Sequence, residues 1–390
     1  MAAAETLTIR PLGPARSAWR VVVAALFAWA FVTNCNELVS GFITYLRATL
    51  QGGGFIKDFA GPWQSGKFHE SLLAVIALLI SATTIWEIAR VVVEAGRRES
   101  MLQRGFAGAR ATFARIARCF SSTFFSALVS QYLPRLLALD VFWVLQPKFA
   151  SYAPFQVESN LWGWIYAVLA WDLATWIYHF GSHRVRLLWC MHSPHHASED
   201  LTITTAWVHF FAEGWYTTLM QLLVLTALGV PAVMLTVLMA FEVTWGTLIH
   251  VGERTLPTGR LGPLRFLFMT PSYHRVHHAR NPIYMDTNFC TLVPFWDWVL
   301  GTLQPIRDEV KLEYGVTRPI DAANFFDFYF GEFRLLYQDL RRARGWREAL
   351  SYLFRPPGWS PQGLEHTAAW ARARFLEKRP ELRVWHWQNK

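Results

Sequence analysis

Ten of the thirteen histidines of this chain lie between positions 179 and 278. Three short motifs hold eight of them: HFGSH (179–183), HSPHH (192–196) and HRVHH (274–278). Residues three or four positions apart share one face of a helix, so each motif can present its imidazoles together. Neutral imidazole is the commonest protein ligand for metals and suits iron, copper, nickel and zinc. The spacing therefore predicts a metal centre, and eight imidazoles exceed what one ion holds, so we expect two ions.

The other histidines differ in how well they fit this centre. His209 and His250 fall at the ends of apolar segments and could complete the ligand set, with an ordinary hydrogen-bonded histidine as the alternative for each. His69, His366 and His386 lie apart from the motifs and are expected to take no part. For the three motifs themselves, the alternative to a metal centre is a hydrogen-bonded polar network or a pH switch.

Carboxylates and amides near the motifs are candidates for orienting the imidazoles, because a ligating histidine donates its other ring N–H to such a group. Asp172 precedes His179 by about two helical turns and shares its helix face. Asp286 and Asn288 follow the third motif and are further candidates for the catalytic site, with helix capping or loop turns as the alternative. Three more carboxylates could serve similarly, and the pattern does not choose among them: Glu199, Asp200 and Glu213.

Local residue types also predict where the helices of the second and third motifs begin. Ser193 and Pro194 suit the N-cap and first-turn positions of a new helix. Thr270 and Pro271 suit the same two positions before the third motif.

Other chemistries are disfavoured by what the sequence lacks. The four cysteines are scattered without a CxxC pair, which argues against a disulfide framework and a cysteine zinc site. The sequence contains no HExxH zinc-protease motif, no paired ExxH motifs of a carboxylate di-iron bundle and no GxSxG elbow. Phosphate-binding P-loop and GxGxxG patterns are absent as well.

The composition indicates a membrane protein. Hydrophobic residues make up 53% of the chain and charged residues only 17%, against roughly 25% charged in average globular proteins. Long apolar runs without alternation predict an all-α, polytopic membrane fold, and the first run is expected to be a retained span. The predicted spans are 19–46, 71–93, 120–147, 161–178 and a pair from about 214 to 249, divided by the LGVP turn at 228–231.

The distribution of arginines predicts the orientation of these spans. Residues 94–118 are rich in arginine, which places them and the N-terminus in the cytoplasm. If every span crosses, all the histidine motifs lie at the cytoplasmic face; Pro134 and Arg135 interrupt the third span, which could instead be broken or re-entrant. The same rule explains the net charge of +9, so we expect no nucleic-acid partner.

Three regions follow from these patterns. We expect an N-terminal transmembrane region over 1–160, a histidine-motif catalytic domain over 161–305 and a cytoplasmic or interfacial helical region over 306–390. The last region combines basic residues with aromatic ones, as in FGEFRLLYQDLRRARGWREAL (330–350). Such a composition is typical of segments at the headgroup level of a bilayer.

The three histidine motifs together resemble the HxxxH, HxxHH and HxxHH boxes of the fatty acid hydroxylase/sterol desaturase superfamily. Asp172, Arg184 and the WDWVLGT stretch (296–302) extend this likeness over about 170–305. SEDLTITTAW (198–207) and LFRPPGWSPQG (353–363) resemble the ether-lipid-cleaving, alkylglycerol monooxygenase-like branch. The position of His209 matches less well, because it stands in HFFAE where the superfamily commonly has an HPLE-like sequence.

The resemblance implies a non-haem di-iron centre that uses O2 to oxidise a C–H bond of a lipid. By position it implies these ligands, of which His209 and His250 match with less certainty: His179, His183, His192, His195, His196, His209, His250, His274, His277 and His278. In the ether-lipid branch a reduced pterin supplies the electrons; elsewhere a cytochrome b5- or ferredoxin-type carrier is the expected donor. The substrate is expected to be an ether lipid, a sterol or an acyl lipid.

Two alternatives stay open at this stage. The same di-iron centre could desaturate or hydroxylate a sterol or fatty acyl chain, because placement of the C–H bond separates these outcomes. A non-enzymatic metal-binding membrane protein is the second alternative, although a transporter would spread its histidines across the membrane midplane. Bacterial inner membrane and endoplasmic reticulum fit the predicted topology equally, and the oligomeric state is not indicated.

Overall fold

The structure is a computed structural model that describes residues 82, 85, 86 and 133–382, apart from 254, 319 and 321–323. The predicted spans 19–46 and 71–93 and the first part of 120–147 therefore lie outside the described residues, save for three positions. The chain divides into two compact units, residues 1–65 and 66–390. All described residues belong to the second unit, and the three-region division stays a prediction.

The described residues are helical, which confirms the all-α class, and within these ranges they form no strand. Ten α-helices follow in order: α1 (Leu133–Ala150), α2 (Leu161–Arg184), α3 (Arg186–His196), α4 (Phe211–Ala227), α5 (Ala232–Ile249), α6 (Pro271–His278), α7 (Phe295–Val299), α8 (Phe325–Arg342), α9 (Trp346–Phe354) and α10 (Ala368–Lys378). Short 3₁₀ turns lie at Ile203–Trp207, Gly262–Phe266 and Pro380–Leu382.

Helix α2 is longer than the predicted span 161–178 and carries the whole first histidine motif. Its start is defined by Asn160, whose side chain accepts a hydrogen bond from the backbone N–H of Gly163 at 2.9 Å. This cap satisfies one of the amide groups that a helix leaves without an internal partner. Because the helix continues to Arg184, His179 and His183 lie on one face, one turn apart.

Helices α4 and α5 form the predicted hairpin, with the LGVP turn between them. Gly229 adopts a positive φ of 81°, which favours glycine. A Cβ atom at this position would lie 2.1 Å from the carbonyl oxygen of Phe155. The carbonyl of Gly229 accepts a hydrogen bond from the backbone N–H of Val157 at 2.9 Å. The turn therefore also ties the hairpin to the segment before α2.

The helix of the second histidine motif begins earlier than the sequence predicts. Helix α3 starts at Arg186 and ends at His196, so Ser193 and Pro194 lie inside it and their predicted capping role is wrong. Pro194 has no N–H to donate to the carbonyl of Cys190, so the helix loses one internal hydrogen bond there and ends two residues later. The prediction for α6 is closer: Pro271 is the first helical residue and Thr270 precedes it, although the Thr270 hydroxyl pairs with Ser272 instead of capping.

Among the described helices, none combines the length and the apolar character needed to cross a bilayer. The bilayer-spanning arrangement stays a prediction.

The C-terminal helices pack against the histidine-bearing helix α3. Cys190 of α3, Leu336 of α8 and Tyr352 of α9 form one buried apolar cluster. At its edge Arg186 forms an ion pair with Asp339 of α8, with 2.6 Å between the nitrogen and the oxygen. Helix α3 is therefore held between α2 on one side and α8 and α9 on the other.

The buried thiols should be chemically inert in the folded chain. Burial raises the pKa of Cys190 to about 12 and raises the pKa of Cys290 well above its usual value. Because the thiolate is the nucleophile, we expect neither to be alkylated by iodoacetamide at pH 8 until the protein is denatured. Peptide mass spectrometry measures this, with Ser151→Cys at an exposed position as a reactive control. Labelling of Cys190 at the control rate would contradict the prediction.

Candidate metal centre

The structure brings nine of the ten predicted histidines into two groups. Within the described residues, the five-histidine group comprises His179, His183, His192, His196 and His277, and the four-histidine group comprises His195, His250, His274 and His278. In each group one ring nitrogen of every member lies within 4.8 Å of the others. All nine side chains are buried. The tenth, His209, lies instead with His192 and Glu213.

The second and third motifs are each divided between the two groups. Helix α3 gives His192 and His196, one turn apart, to the five-histidine group and His195 to the other. Helix α6 gives His274 and His278 to the four-histidine group and His277 to the five-histidine group. The two short helices thus each contribute to both groups. Rings from the two groups are in contact: the centroids of His196 and His278 are 4.5 Å apart.

Backbone carbonyls and one carboxylate determine which ring nitrogen carries the proton. The Nδ1 atoms of His179 and His277 lie 2.8 Å from the carbonyl oxygens of Phe289 and Thr287. A carbonyl oxygen only accepts, so Nδ1 must donate and Nε2 is left with a bare lone pair. The same argument applies to His192 beside Glu213, His195 beside the Val208 carbonyl and His250 beside the Gly246 carbonyl.

Some of these bare nitrogens point at one another. The Nε2 atoms of His179 and His192 are 3.1 Å apart, and in the other group those of His195 and His250 are 3.3 Å apart. The Nε2 atoms of His196 and His274 lie 3.1 Å from that of His192 and 2.8 Å from that of His250. Two facing lone pairs repel at such distances, so a cation between the rings would stabilise the arrangement.

A shared proton is a poor candidate for that cation. Burial, followed by the charges of neighbouring rings, lowers the pKa of His179 and His195 well below the usual histidine value. Burial lowers the pKa of His250 and of His277 to about 3. These four rings are therefore neutral at physiological pH, which is the state that binds metal. The Nε2 atoms of His183 and His277 also lack a hydrogen-bond partner, as expected of metal ligands.

The spacing of the nitrogens is compatible with ligands that share one metal ion. A metal–nitrogen bond of about 2.1 Å places neighbouring ligands about 3.0 Å apart at a right angle and about 3.4 Å apart at the tetrahedral angle. Separations of 2.8–3.3 Å occur within each group, including 3.0 Å between the Nε2 atoms of His274 and His278. The five-histidine group offers one nitrogen more than a tetrahedral zinc site uses.

Glu213 connects His209 to the five-histidine group. Its Oε1 accepts from Nδ1 of His192 at 2.5 Å, and its Oε2 accepts from Nδ1 of His209 at 2.9 Å. Burial raises the pKa of Glu213, but the two histidines outweigh burial and lower that pKa to about 2. The ionised carboxylate thus orients His192 and makes its Nε2 more basic. His209 stacks on His195 with a centroid distance of 4.1 Å.

We expect Glu213→Gln to weaken metal binding or activity by about 10–100-fold, the usual effect of losing a group that orients a ligand. The amide cannot accept from both imidazoles, so His192 loses its fixed orientation. Retained iron after dialysis against a chelator measures the effect. Glu377→Gln, at an exposed surface position, is the matched control. Equal retention by the two variants would contradict the prediction.

Two buried aspartates hold the loop that orients His179 and His277. Asp172 accepts three backbone N–H groups, from Thr291 and Leu292 at 3.0 and 3.1 Å and from Val293 at 2.8 Å. Asp297 accepts the N–H groups of Phe289 and Cys290 at 2.9 and 2.8 Å, together with the hydroxyl of Thr302 at 2.6 Å. Asp172 therefore contacts backbone amides where an imidazole was expected, and it acts on the ligands through the loop.

The other two predicted polar residues lie in the same loop region. Asp286 approaches Nδ1 of His183 at 3.4 Å and Nε of Arg184 at 3.3 Å. Burial raises the pKa of Asp286 to about 6 although Arg184 lowers it. Asn288 donates to the carbonyls of Tyr273 and Gln304 at 2.9 and 2.7 Å, which ties the third motif to the segment after α7.

Arg275, inside the third motif, has a structural role that its spacing did not suggest. The side chain is fully buried and donates to the carbonyls of Val251, Leu256 and Pro257. These bonds attach the loop after His250 to helix α6. Because His250 and His274 belong to one group, the guanidinium helps to set their relative positions.

A cavity of about 110 Å³ adjoins both histidine groups. His179 and His192 reach it from one group, and His195, His250 and His274 from the other. The opposite wall comes from α4 and α5 and includes Glu242, which the sequence reasoning missed. Glu242 could have been identified from the sequence as a charged residue within the apolar run 232–249.

Residues 164–302 match the family model described as fatty acid hydroxylase. This segment includes all ten predicted histidine ligands, and the likeness stated from the three motifs is confirmed.

Comparison with individual proteins shows which members of this family the chain is similar to. Alkylglycerol monooxygenases of Xenopus tropicalis and Danio rerio are each 32% identical, over 200 and 208 residues. These matches cover 51% and 52% of this chain and 43% and 44% of the relatives, so the chain spans less than half of their length. The ornithine lipid hydroxylase OlsE of Rhizobium tropici is 26% identical over 203 residues, covering 52% of this chain and 57% of that protein. No solved structure matches the chain significantly.

Proposed function

We propose that this chain is a membrane-bound lipid monooxygenase that holds two iron ions and cleaves an ether lipid by hydroxylation. The observation that carries the proposal is the pair of buried histidine groups whose bare Nε2 atoms converge beside one cavity. Iron is favoured over zinc because the five-histidine group exceeds tetrahedral coordination and because a monooxygenase must activate O2, for which zinc has no redox chemistry. The similarity to alkylglycerol monooxygenases supports the ether lipid.

The overall reaction balances with an external two-electron donor. A substrate R–CH2–O–R′, O2, two electrons and two protons give R–CH(OH)–O–R′ and water. The new hydroxyl then loses its proton as the bond between the oxidised carbon and the ether oxygen breaks. The ether oxygen leaves with R′ and takes up a proton, so the products are an aldehyde R–CHO and an alcohol R′–OH. We propose a reduced pterin as the donor, with a cytochrome b5- or ferredoxin-type carrier as the alternative.

Different groups of residues would have different roles in this reaction. Bound iron supplies the activation of O2, which imidazole side chains cannot provide by themselves. The five-histidine group and the four-histidine group would each hold one ion in all-nitrogen surroundings. Glu213 and the 287–293 loop keep the rings aligned before the ions bind. Pre-alignment of this kind avoids rearrangement during the reaction.

Exposed apolar side chains support the membrane location. Trp162 on α2, Phe326 on α8 and Trp346 on α9 are 75%, 72% and 68% exposed. An apolar groove of about 780 Å³ opens beside Trp164 and Trp298. Exposed apolar surface on this scale marks contact with lipid or another protein. We propose that the histidine groups lie on the cytoplasmic side of that membrane.

The test is to purify the full chain without oxygen, count iron and then supply O2, a reduced pterin and 1-O-hexadecylglycerol. We expect two irons per chain and release of hexadecanal with glycerol. Hydroxylation or desaturation of an acyl lipid or sterol, without aldehyde from the ether, would favour the other oxidases of the superfamily. Two irons without oxidation of any lipid by any donor would favour a metal-binding protein.

A further inference from the structure

Glu242 is the only charged residue of helix α5, whose other residues are mostly apolar. Removing a carboxylate from water is costly unless partners compensate. Gly246 and His250 follow it at intervals of four residues, so the three positions share one helix face. All three line the cavity that adjoins the histidine groups. The carboxylate therefore lies in the same cavity as the metal-binding nitrogens, on the same helix face as one of them.

A chain of hydrogen bonds orients this carboxylate. The amide N–H of Gln221 donates to Oγ1 of Thr175 at 2.9 Å, and the hydroxyl of Thr175 donates to Oε1 of Glu242 at 3.1 Å. Gln221 and Thr175 are buried. Because Gln221 donates to the hydroxyl oxygen of Thr175, that hydroxyl uses its own proton to donate to Glu242. The three residues come from α4, α2 and α5, so packing of three helices holds the carboxylate in place.

The neighbouring hydroxyl groups on the cavity wall also present acceptors. The hydroxyl of Thr217 donates to the carbonyl of Glu213 at 2.8 Å, and that of Thr247 donates to the carbonyl of Val243 at 2.7 Å. Their protons point back into their own helices, so each oxygen offers lone pairs to the cavity. With Glu242, this wall accepts hydrogen bonds, and the complementary ligand is a group that donates them.

The charge of the wall restricts the ligand further. A carboxylate repels a fatty acid carboxylate or a lipid phosphate. An ammonium group would be attracted by Glu242 but repelled by two metal ions across the small cavity. A neutral hydroxyl satisfies both constraints, and hydrogen bonds to a charged partner are the stronger kind.

We propose that Glu242 is a specificity-determining residue that binds a hydroxyl group at the uncharged polar end of the substrate. The proposal rests on the proposed function, because it takes the substrate to be a lipid oxidised at this centre. It adds the residue that would recognise the free hydroxyl near the oxidised carbon. A ligand carboxylate at this position is expected to bind less well.

The test measures binding without turnover. Radiolabelled 1-O-hexadecylglycerol is bound to the full chain, purified with its metal in detergent, under nitrogen. Competition by its 2,3-di-O-methyl derivative, by hexadecanoic acid and by hexadecylamine gives the preference for free hydroxyls. We expect the wild-type chain to prefer the diol over the dimethyl compound by about tenfold or more, a difference of about 1.4 kcal/mol. Glu242→Gln should remove most of this preference and improve binding of hexadecanoic acid.

Two control variants test whether a change of charge elsewhere, or a change in helix α5 outside the cavity, could by itself remove the preference for the diol. Glu377→Gln makes the same change at an exposed position, and Thr244→Val changes a residue on α5 that is not part of the cavity wall. Both should keep the wild-type preference. Thr175→Val, which removes the orienting hydrogen bond, should weaken binding of the diol in the same direction as Glu242→Gln by a smaller factor.

Equal binding of the diol and its dimethyl derivative would overturn the inference, as would a Glu242→Gln variant with the wild-type preference. Strongest binding of hexadecylamine would overturn it in favour of a cation site. The proposed function fails separately, by an absence of aldehyde in the turnover assay. A hydroxyl preference that depends on Glu242, found without ether cleavage, would support this inference while rejecting that function.

Discussion

The His195→Ala/His196→Ala double variant is expected to lose both irons, whereas His195→Ala/His274→Ala should keep about one. The reason is that His195 and His274 belong to the same group, although 78 residues lie between them in the sequence, while the adjacent His195 and His196 belong to different groups. Removing a second ligand of an ion already lost changes little. Iron per chain, measured by plasma emission spectrometry on purified protein, distinguishes the two variants.

Activity should fall in all of these variants by more than the roughly 10–100-fold typical of losing a group that only orients a ligand. His195→Ala and His196→Ala as single variants should each retain about one iron. His366→Ala, which changes an exposed histidine far from the groups along the chain, is the control and should keep both. Equal iron in the two double variants would mean that the nine histidines do not divide as the structure has them.

Asp172→Asn should lower the free energy of unfolding by about 1–3 kcal/mol, because at least one of the three backbone N–H groups that donate to Asp172 loses its acceptor. The asparagine amide has one acceptor oxygen, and its NH2 group faces N–H donors. Displacement of the loop also moves the Phe289 carbonyl that orients His179. We therefore expect iron content to fall together with the midpoint of thermal unfolding.

Asp308→Asn makes the same chemical change in an exposed ion pair with Arg260. Such pairs contribute about 0–1 kcal/mol, so its melting midpoint should stay close to that of the wild type. If the two variants had the same midpoint of thermal unfolding, the stability of the loop would not depend on Asp172. A stable Asp172→Asn variant that had lost its iron would instead show that the aspartate acts on the metal site alone.

Helices α3 and α6 each carry three imidazoles of the two groups, and each is anchored to a neighbouring segment by a buried arginine. Arg275 attaches α6 to the loop after α5, while Arg186 attaches α3 to α8. The centre is thus supported by charged residues that contact no metal.

Local sequence patterns correctly predict some of the helix faces, turns and helix starts of this structure. The four-residue spacing within the motifs predicts which imidazoles share a helix face, and α2, α3 and α6 present them so. The LGVP turn and the helix starting at Pro271 were likewise predictable, because glycine and proline act on backbone angles of their immediate neighbours. The start of α3 was not predictable in this way, because the helix begins at Arg186 and already includes Ser193 and Pro194, which locally favour a helix start.

The sequence by itself determined that this chain carries imidazoles at metal-ligand spacing on apolar helices, since that spacing is a property of each helix alone. Tertiary structure decided how nine of them divide between two groups, that His250 joins one and that His209 pairs with Glu213. It also decided that Asp172 binds amides 119–121 positions further along the chain. Such contacts join residues that are far apart in the sequence. They depend on how the helices pack, which a local residue pattern cannot show.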